Sequence, residues 1–269
     1  MPKPAPILLT GAAGALGQCL RPHLAKRPEG LRSSDIRDPG APLASEEFML
    51  GDVGDAAFVD RLVEGTSAIV HMGAVATEDA IEKIWHANFH GTFHVFNAAR
   101  RHGVKRVVFA SSNHAIGFHR TSDRLDSTVA QRPDTMYGVS KAFGEDLGSL
   151  MADKFGLEVV CLRIGSAVPQ PREPRHLSTW LSYPDLVRLV EACLAAPKVH
   201  FDIVYGVSNN RRSRWDNSKS GIDYRPQDDA ERFAAKIIPD GDKRDPADPT
   251  VVYHGGPYIS LGLGEKPKS

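Results

Sequence analysis

The sequence predicts an α/β fold, a doubly wound parallel sheet, from three observations. Short apolar strands alternate with amphipathic helices over most of the 269 residues. The first strand, Ile7-Leu8-Leu9, runs into a glycine-rich turn and then a helix. Tyr137 and Lys141 stand four apart in a segment that reads as helical, shortly after an apolar strand that ends in Ser111-Ser112.

Composition narrows the function classes. Apolar residues make up 41%, enough for a substantial core, and no apolar run approaches the ~20 residues of a membrane helix. Lys+Arg and Asp+Glu balance at 33 each, which gives no electrostatic draw toward nucleic acid or an anionic membrane. Neither is an expected partner. Cys19, Cys161 and Cys193 are odd in number, widely spaced and set in apolar segments. They read as reduced core residues of a cytoplasmic protein, and the first residues lack a secretory apolar region.

The first turn, Thr10-Gly11-Ala12-Ala13-Gly14-Ala15-Leu16-Gly17, has the strand–turn–helix setting of a dinucleotide fingerprint. Gly11 allows the tight turn, and Gly14 lets a pyrophosphate approach the backbone. Ala15 and Leu16 lie in the first turn of a helix whose N-terminus faces the phosphates, and Gly17 lets that helix pack closely. Asp35 lies near the ~20-residue offset of the acid that binds the adenosine ribose. Its carboxylate repels a 2′-phosphate, so NAD is the expected cofactor, although Arg32 and Arg37 stand nearby.

Glu47 to Leu50 reads as a third strand, followed by Asp52-Val53 at the adenine end of the site. The alternative for Asp52 is to cap the next helix. Ser67 to Ala74 reads as a fourth strand, and its turn, Met72-Gly73-Ala74, is small enough for a flat cofactor to pass. The next helix is expected over Glu78 to Arg101. It carries His86, His90 and His94 at intervals of four, a spacing that can bind metal. No acid or cysteine stands beside them at ligand spacing, so no metal is expected, and that face is assigned to solvent or a subunit contact. Asn88 lies on the adjacent face, toward the cofactor or Lys141.

The fifth strand is expected over Val104 to Ala110, and Asp134 is the expected N-cap of the Tyr137 helix, which Gly156 ends. A phenol is a poor base at its ordinary pKa of ~10. Lys141 beside it favours the phenolate, and Ser112 can hydrogen-bond the same reacting oxygen. Residues 1–165 therefore read as a cofactor-binding core that holds the catalytic trio. Residues 166–269 read as a small substrate lobe that is part of the same structural unit. They supply a last strand, Phe201 to Gly206, a final helix, Ala230 to Ile238, and a tail from Pro239 that runs along a neighbour or is partly mobile.

Together, the Thr10–Gly17 turn, Ser111-Ser112 and Tyr137-Gly-Val-Ser-Lys141 resemble the extended short-chain dehydrogenase/reductase superfamily, the NAD-dependent epimerase/dehydratase-like Rossmann enzymes. Phe109-Ala-Ser-Ser-Asn-His114, Arg132-Pro-Asp134, Leu177-Ser-Thr-Trp180 and Trp215-Asp-Asn-Ser218 look closer still to its uronate dehydrogenase branch. The resemblance implies NAD-dependent oxidation at C1 of a hexuronate, glucuronate or galacturonate, to an aldarolactone. It implies that Tyr137 is the base, that Lys141 holds the nicotinamide ribose and that Ser166 lies at the nicotinamide end. Ser112, Asn113 and His114 would bind sugar hydroxyls, and Arg175 would pair with the substrate carboxylate. A guanidinium in the proline-rich frame Pro169–Arg175 suits that task independently. Where the branch carries a sugar-binding serine this chain has Ala76, with Thr77 beside it as a substitute. A homo-oligomer is expected.

Two rival readings share some of these residues. A nucleotide-sugar epimerase or dehydratase has the same Ser/Tyr/Lys trio but needs a larger C-terminal lobe. A dehydratase also wants an acidic pair where this chain has Asn113-His114. A non-catalytic dinucleotide sensor would have no need of the intact trio.

Overall fold

A computed structural model of the chain describes residues 4–267. Its main chain runs through β1 (Ile7–Thr10), α1 (Ala15–Leu24), β2 (Leu31–Asp35), β3 (Glu46–Leu50), α2 (Ala56–Val63) and β4 (Ala68–His71). It continues through α3 (Gly91–Arg101), β5 (Arg106–Ser112), α4 (Met136–Phe155), β6 (Glu158–Ile164), α5 (Tyr183–Ala195) and β7 (Phe201–Gly206). The seven strands form one sheet in the order β7-β6-β5-β4-β1-β2-β3, and every pair is parallel. The substrate half thus returns to the sheet, since β7 pairs with β6.

Side chains alternate across the central strands, and both faces are apolar because helices cover both. Leu9, Val70, Val108, Val160 and Leu162 meet Leu20 and Leu24 of α1 and Leu186, Leu189 and Val190 of α5. On the other face Leu8, Ile69, Val107, Phe109 and Val159 meet α2, α3 and α4 through Phe58, Leu62, Val95, Phe96, Leu147 and Met151. Helix α4 lies very close to the sheet. A Cβ on Gly144 would overlap the Phe109 ring, and one on Gly148 would come within 2.9 Å of Val159. That closeness carries the helix start to the end of β5. Among the described residues, no helix is long and apolar enough to cross a membrane.

Several elements depart from the sequence reading. The helix expected from Glu78 begins at Ile81, passes through a π-helical turn at Trp85–His90 and only then becomes α3. Glu78 is excluded from it because its buried carboxylate accepts from the amides of Tyr137 and Gly264, both at 2.7 Å. Strand β5 starts at Arg106 and runs through Ser112, later at both ends than expected. Arg106 is buried there because its guanidinium bonds Glu158 and the carbonyls of Cys193 and Leu194. Asp134 is not the cap of α4. Thr135 is, with its hydroxyl accepting from the Gly138 amide at 3.1 Å, while Asp134 turns inward. The expected helix over Ala230 to Ile238 is a 3-10 turn, Ala230–Phe233, joined to a short α-helix, Ala234–Ile237.

The tail departs most. It folds back onto its own chain, making an antiparallel bridge between Arg120 and Tyr253 and a 3-10 turn at Gly256–Ser260. Farther on, Lys266 meets Asp79 at 3.0 Å.

The first glycine turn gives a test of the fold. A Cβ at Gly17 would overlap the Gly11 carbonyl and press on Ala12, so Gly17→Ala has to push α1 away from β1. Denaturant unfolding should show a loss of about 1–3 kcal/mol, the usual cost of overpacking. An unchanged midpoint would mean that the turn and helix can separate freely.

Candidate active site

The strand order reverses between β1 and β4, which places a crevice at the carboxyl ends of these two strands, the usual dinucleotide position in open α/β sheets. Gly11 adopts φ +74°, and a Cβ there would lie 2.7 Å from the Gly73 amide, so the turns after β1 and β4 touch through bare backbone. Thr10 ties them together. Its hydroxyl accepts from the Gly73 amide at 3.0 Å and hydrogen-bonds His71 Nδ1 at 2.7 Å. Burial, helped by the charge of Lys141, pushes His71 down to about 3 and keeps it neutral.

The crevice fits NAD. Gly14, at the N-cap of α1, carries no side chain to cap the helix, so the first-turn amides at Ala15 and Leu16 remain for a pyrophosphate. At the end of β2, Asp35 accepts from the Ala13 amide at 2.9 Å, which sets a carboxylate beside the glycine turn where an adenosine ribose would lie. Met72, Gly73 and Ala74 line the turn after β4 and are partly exposed.

Asp55, not Asp52, caps α2. Asp52 is half-exposed and pairs with His86 Nε2 at 2.9 Å, while His94 Nδ1 donates to the Val53 carbonyl at 3.2 Å. Both histidines therefore brace the Asp52-Val53 turn. Among the described residues no group of three metal-ligating side chains comes together. Asn88 is 1% exposed and spends its amide on both backbone groups of Val75 and on the Ser140 hydroxyl. Its contacts hold the β4 turn against the catalytic helix.

Ser112, Tyr137 and Lys141 do come together. Ser112 ends β5 and accepts from the His114 amide at 3.2 Å, and its hydroxyl is near enough to the Tyr137 phenol to lower that group's pKa. Lys141 Nζ lies 5.5 Å from the Tyr137 ring centre and 5.2 Å from that of Phe109. Burial lowers Lys141 to about 8. Burial also raises the phenol above its ordinary value; the Ser112 hydrogen bond lowers it, and Tyr258 and Asp134 raise it. The depressed phenol expected from Lys141 alone is thus not what the protein holds. A dry site penalises the phenolate more than one nearby ammonium favours it.

The expected substrate end is a set of polar groups around Arg175. Its Nη1 donates to Ser166 Oγ at 2.9 Å and its Nη2 to the His254 carbonyl at 2.8 Å, while Nε is buried without a partner. Both acceptors are neutral, and among the described residues no carboxylate lies at ion-pair distance. Desolvation lowers the Arg175 pKa. Asn113 Nδ2 also donates to the His254 carbonyl, at 3.3 Å. His114 Nδ1 meets Asp134 Oδ2 at 2.7 Å. Ala76 is exposed, and the Thr77 hydroxyl donates to the Glu78 carbonyl at 2.9 Å.

Sequence reasoning missed the tail as part of this site. Tyr258 stacks on the His114 ring at 3.9 Å between centres, and the His254 carbonyl joins Asn113 to Arg175. Gly256, at φ +59°, lies against Arg175, where a Cβ would come within 2.8 Å of Cδ and Nε. The signal was Gly255-Gly256-Pro257-Tyr258. Paired glycines before an aromatic residue mark a close backbone approach, but the segment has no helix or strand period to draw attention to it.

Comparison with known proteins agrees with this geometry. The model of the NAD dependent epimerase/dehydratase family matches residues 7–183. The uronate dehydrogenase of Pseudomonas putida is 49% identical over 263 residues, covering 95% of this chain and 96% of the relative. The crystal structure of glucuronic acid dehydrogenase from Chromohalobacter salexigens superposes with a TM-score of 0.93 at 43% identity, covering 96% of this chain and 97% of the other. Uronate dehydrogenase from Agrobacterium tumefaciens, as a tyrosine-to-alanine mutant complexed with NAD, gives 0.91 at 40% identity, covering 97% and 98%. The chain belongs to the NAD dependent epimerase/dehydratase family, and within it to the uronate dehydrogenases.

Proposed function

We propose that this protein oxidises C1 of a free hexuronate, D-glucuronate or D-galacturonate, to the aldarolactone, with NAD as the oxidant. The observation that carries this reading is Arg175, a desolvated cation whose protein partners are a hydroxyl and a carbonyl. A substrate carboxylate supplies the missing anion and can take two parallel hydrogen bonds from the guanidinium.

Bound NAD supplies a hydride acceptor at C1 and a positive charge near the phenol. Tyr137, as the phenolate, takes the C1 hydroxyl proton as the C1–H bond breaks, so the alcohol loses one proton and one hydride. Ser112 hydrogen-bonds the same oxygen, and Lys141 supports the phenolate and the nicotinamide ribose. Asp35 reads the adenosine ribose, and Asp52-Val53 the adenine end. Asn113 and His114 face sugar hydroxyls, and Ser166 links Arg175 to the nicotinamide end. Residues 1–165 thus serve the cofactor, and residues 166–269 supply the carboxylate reader and the wall around it.

Trp85, Phe93, Leu150 and Phe155 expose large apolar side chains along α3, α4 and the π-turn, and burial between copies of the chain would remove them from water. The three free cysteines suit a reducing cytoplasm.

Arg175→Ala should lower kcat/KM for uronates by roughly thirty-fold to several-thousand-fold, the ~2–5 kcal/mol typical of removing one partner of a buried charge pair. NADH affinity should stay unchanged. Arg175→Lys should restore part of the loss, because a point charge cannot make the two-pronged contact. Full uronate activity in Arg175→Ala would remove the basis of the substrate assignment.

Proton abstraction requires the phenolate, so activity should rise with pH and then level off. Lys141 is charged below about 8 and favours the phenolate there. In Lys141→Met that charge is gone, so the rising limb of log kcat should move about one to two pH units upward, the size of a charge interaction at this range. A limb that stays in place would mean that Lys141 does not tune the base.

A further inference from the structure

Asp134 is a buried carboxylate to which the mechanism above gives no role in binding substrate or cofactor. Its side chain is fully buried, and Oδ2 lies 2.7 Å from His114 Nδ1. The carboxylate fits between two glycines, one before the catalytic helix and one in the tail, because a Cβ on Gly117 or on Gly255 would overlap Oδ2. Its other oxygen, Oδ1, accepts from the Thr135 hydroxyl at 3.0 Å, and Thr135 in turn accepts from the amide of Gly138, next to Tyr137. The imidazole on the other side of the pair is equally confined. Tyr258 stacks on one face, and the Tyr137 ring stands against it edge-on at 5.7 Å.

An ionised carboxylate can only accept hydrogen bonds, so the proton between the two groups belongs on His114 Nδ1. In a neutral imidazole Nε2 is then a bare acceptor. We propose that Asp134 is a positioning residue that locks His114 in the Nδ1–H tautomer, so that Nε2 accepts a hydrogen bond from a hydroxyl of the substrate. The identity of that substrate rests on the uronate reading above; the tautomer does not.

The lock has a consequence for recognition. A site that offers an acceptor demands a donor, so a sugar hydroxyl satisfies it and a fluorine or hydrogen in its place does not. Glutamate cannot substitute for Asp134, because an added methylene would collide with the backbone of Gly117 and Gly255. Asparagine fits the space but cannot hold the imidazole by charge, and its amide can donate to Nδ1 and reverse the tautomer.

The direct test is a long-range 1H–15N NMR spectrum of histidine-labelled protein saturated with NAD at neutral pH. The His114 signals are assigned by their loss in His114→Gln. Wild type should show Nδ1 protonated and Nε2 bare; Nε2 protonated would overturn the proposal. In Asp134→Asn the two forms should mix or invert. KM for glucuronate should rise about two- to tenfold, as for loss of a hydrogen bond between neutral groups, while KM for NAD should hold steady. A folded Asp134→Asn protein with wild-type KM for the sugar would also overturn it. If that variant fails to fold, the wild-type spectrum still decides. A wild type inactive on uronates would sink the substrate reading, whereas the spectrum would still decide the tautomer.

Discussion

Glu145 lies roughly two turns beyond Tyr137 on α4 and meets Arg163 of β6 in a pair that is 1% exposed on each side. Its Oε1 accepts from Arg163 Nε at 2.9 Å and from the Ser111 hydroxyl at 2.6 Å, and its Oε2 accepts from Arg163 Nη2 at 2.8 Å. One carboxylate therefore joins the catalytic helix to two strands, at the residue next to Ser112. Replacing one member of such a pair leaves an uncompensated buried charge and typically costs ~3–5 kcal/mol. Apolar contacts could hold α4 against the sheet in several registers. The directed bonds of Glu145 select one, and the small-residue face over Phe109 lets the helix come close enough to use it.

With α4 fixed, bringing Ser112, Tyr137 and Lys141 together needs little else, and this explains why so much of the candidate site is legible in the sequence. Tyr137 and Lys141 follow from helical spacing, Ser112 from its place at the end of an apolar strand, and the glycine turn from its position after β1. These signals are local. What the sequence conceals is set by long-range contacts. Glu78 looks like the start of a helix until the amides of Tyr137 and Gly264 claim its carboxylate. Asp134 looks like a cap until His114 claims it, and Thr135 then takes the capping role. The histidines of the Trp85–His90 turn and α3 keep a metal-like spacing, but His86 turns to Asp52 and His94 to Val53. The tail has no period at all, and only its closeness to Arg175, Asn113 and His114 shows its use.

The two ends of the site solve opposite electrostatic problems. At the cofactor end burial keeps His71 neutral, lowers Lys141 and raises the phenol, so the protein alone resists charge there. At the proposed substrate end a partly buried guanidinium has neutral hydrogen-bond partners. Burying such a group is costly, and the cost is offset when an anion binds. The difference between a hexuronate and its parent aldose is one carboxylate. In the proposed reading that single group becomes selectivity, because a hydroxymethyl would leave the arginine as it was.

The most direct measurement is therefore the rate of NADH appearance in the wild-type protein with glucuronate and galacturonate, set against glucose, galactose and UDP-glucuronate under the same conditions. The account predicts turnover of both free uronates, with kcat/KM for the neutral aldoses lower by at least about thirty-fold, the small end of a ~2 kcal/mol charge contribution. It also predicts no oxidation of the UDP-sugar, whose C1 oxygen is blocked. Comparable rates on glucose and glucuronate, or a preference for the UDP-sugar, would contradict it.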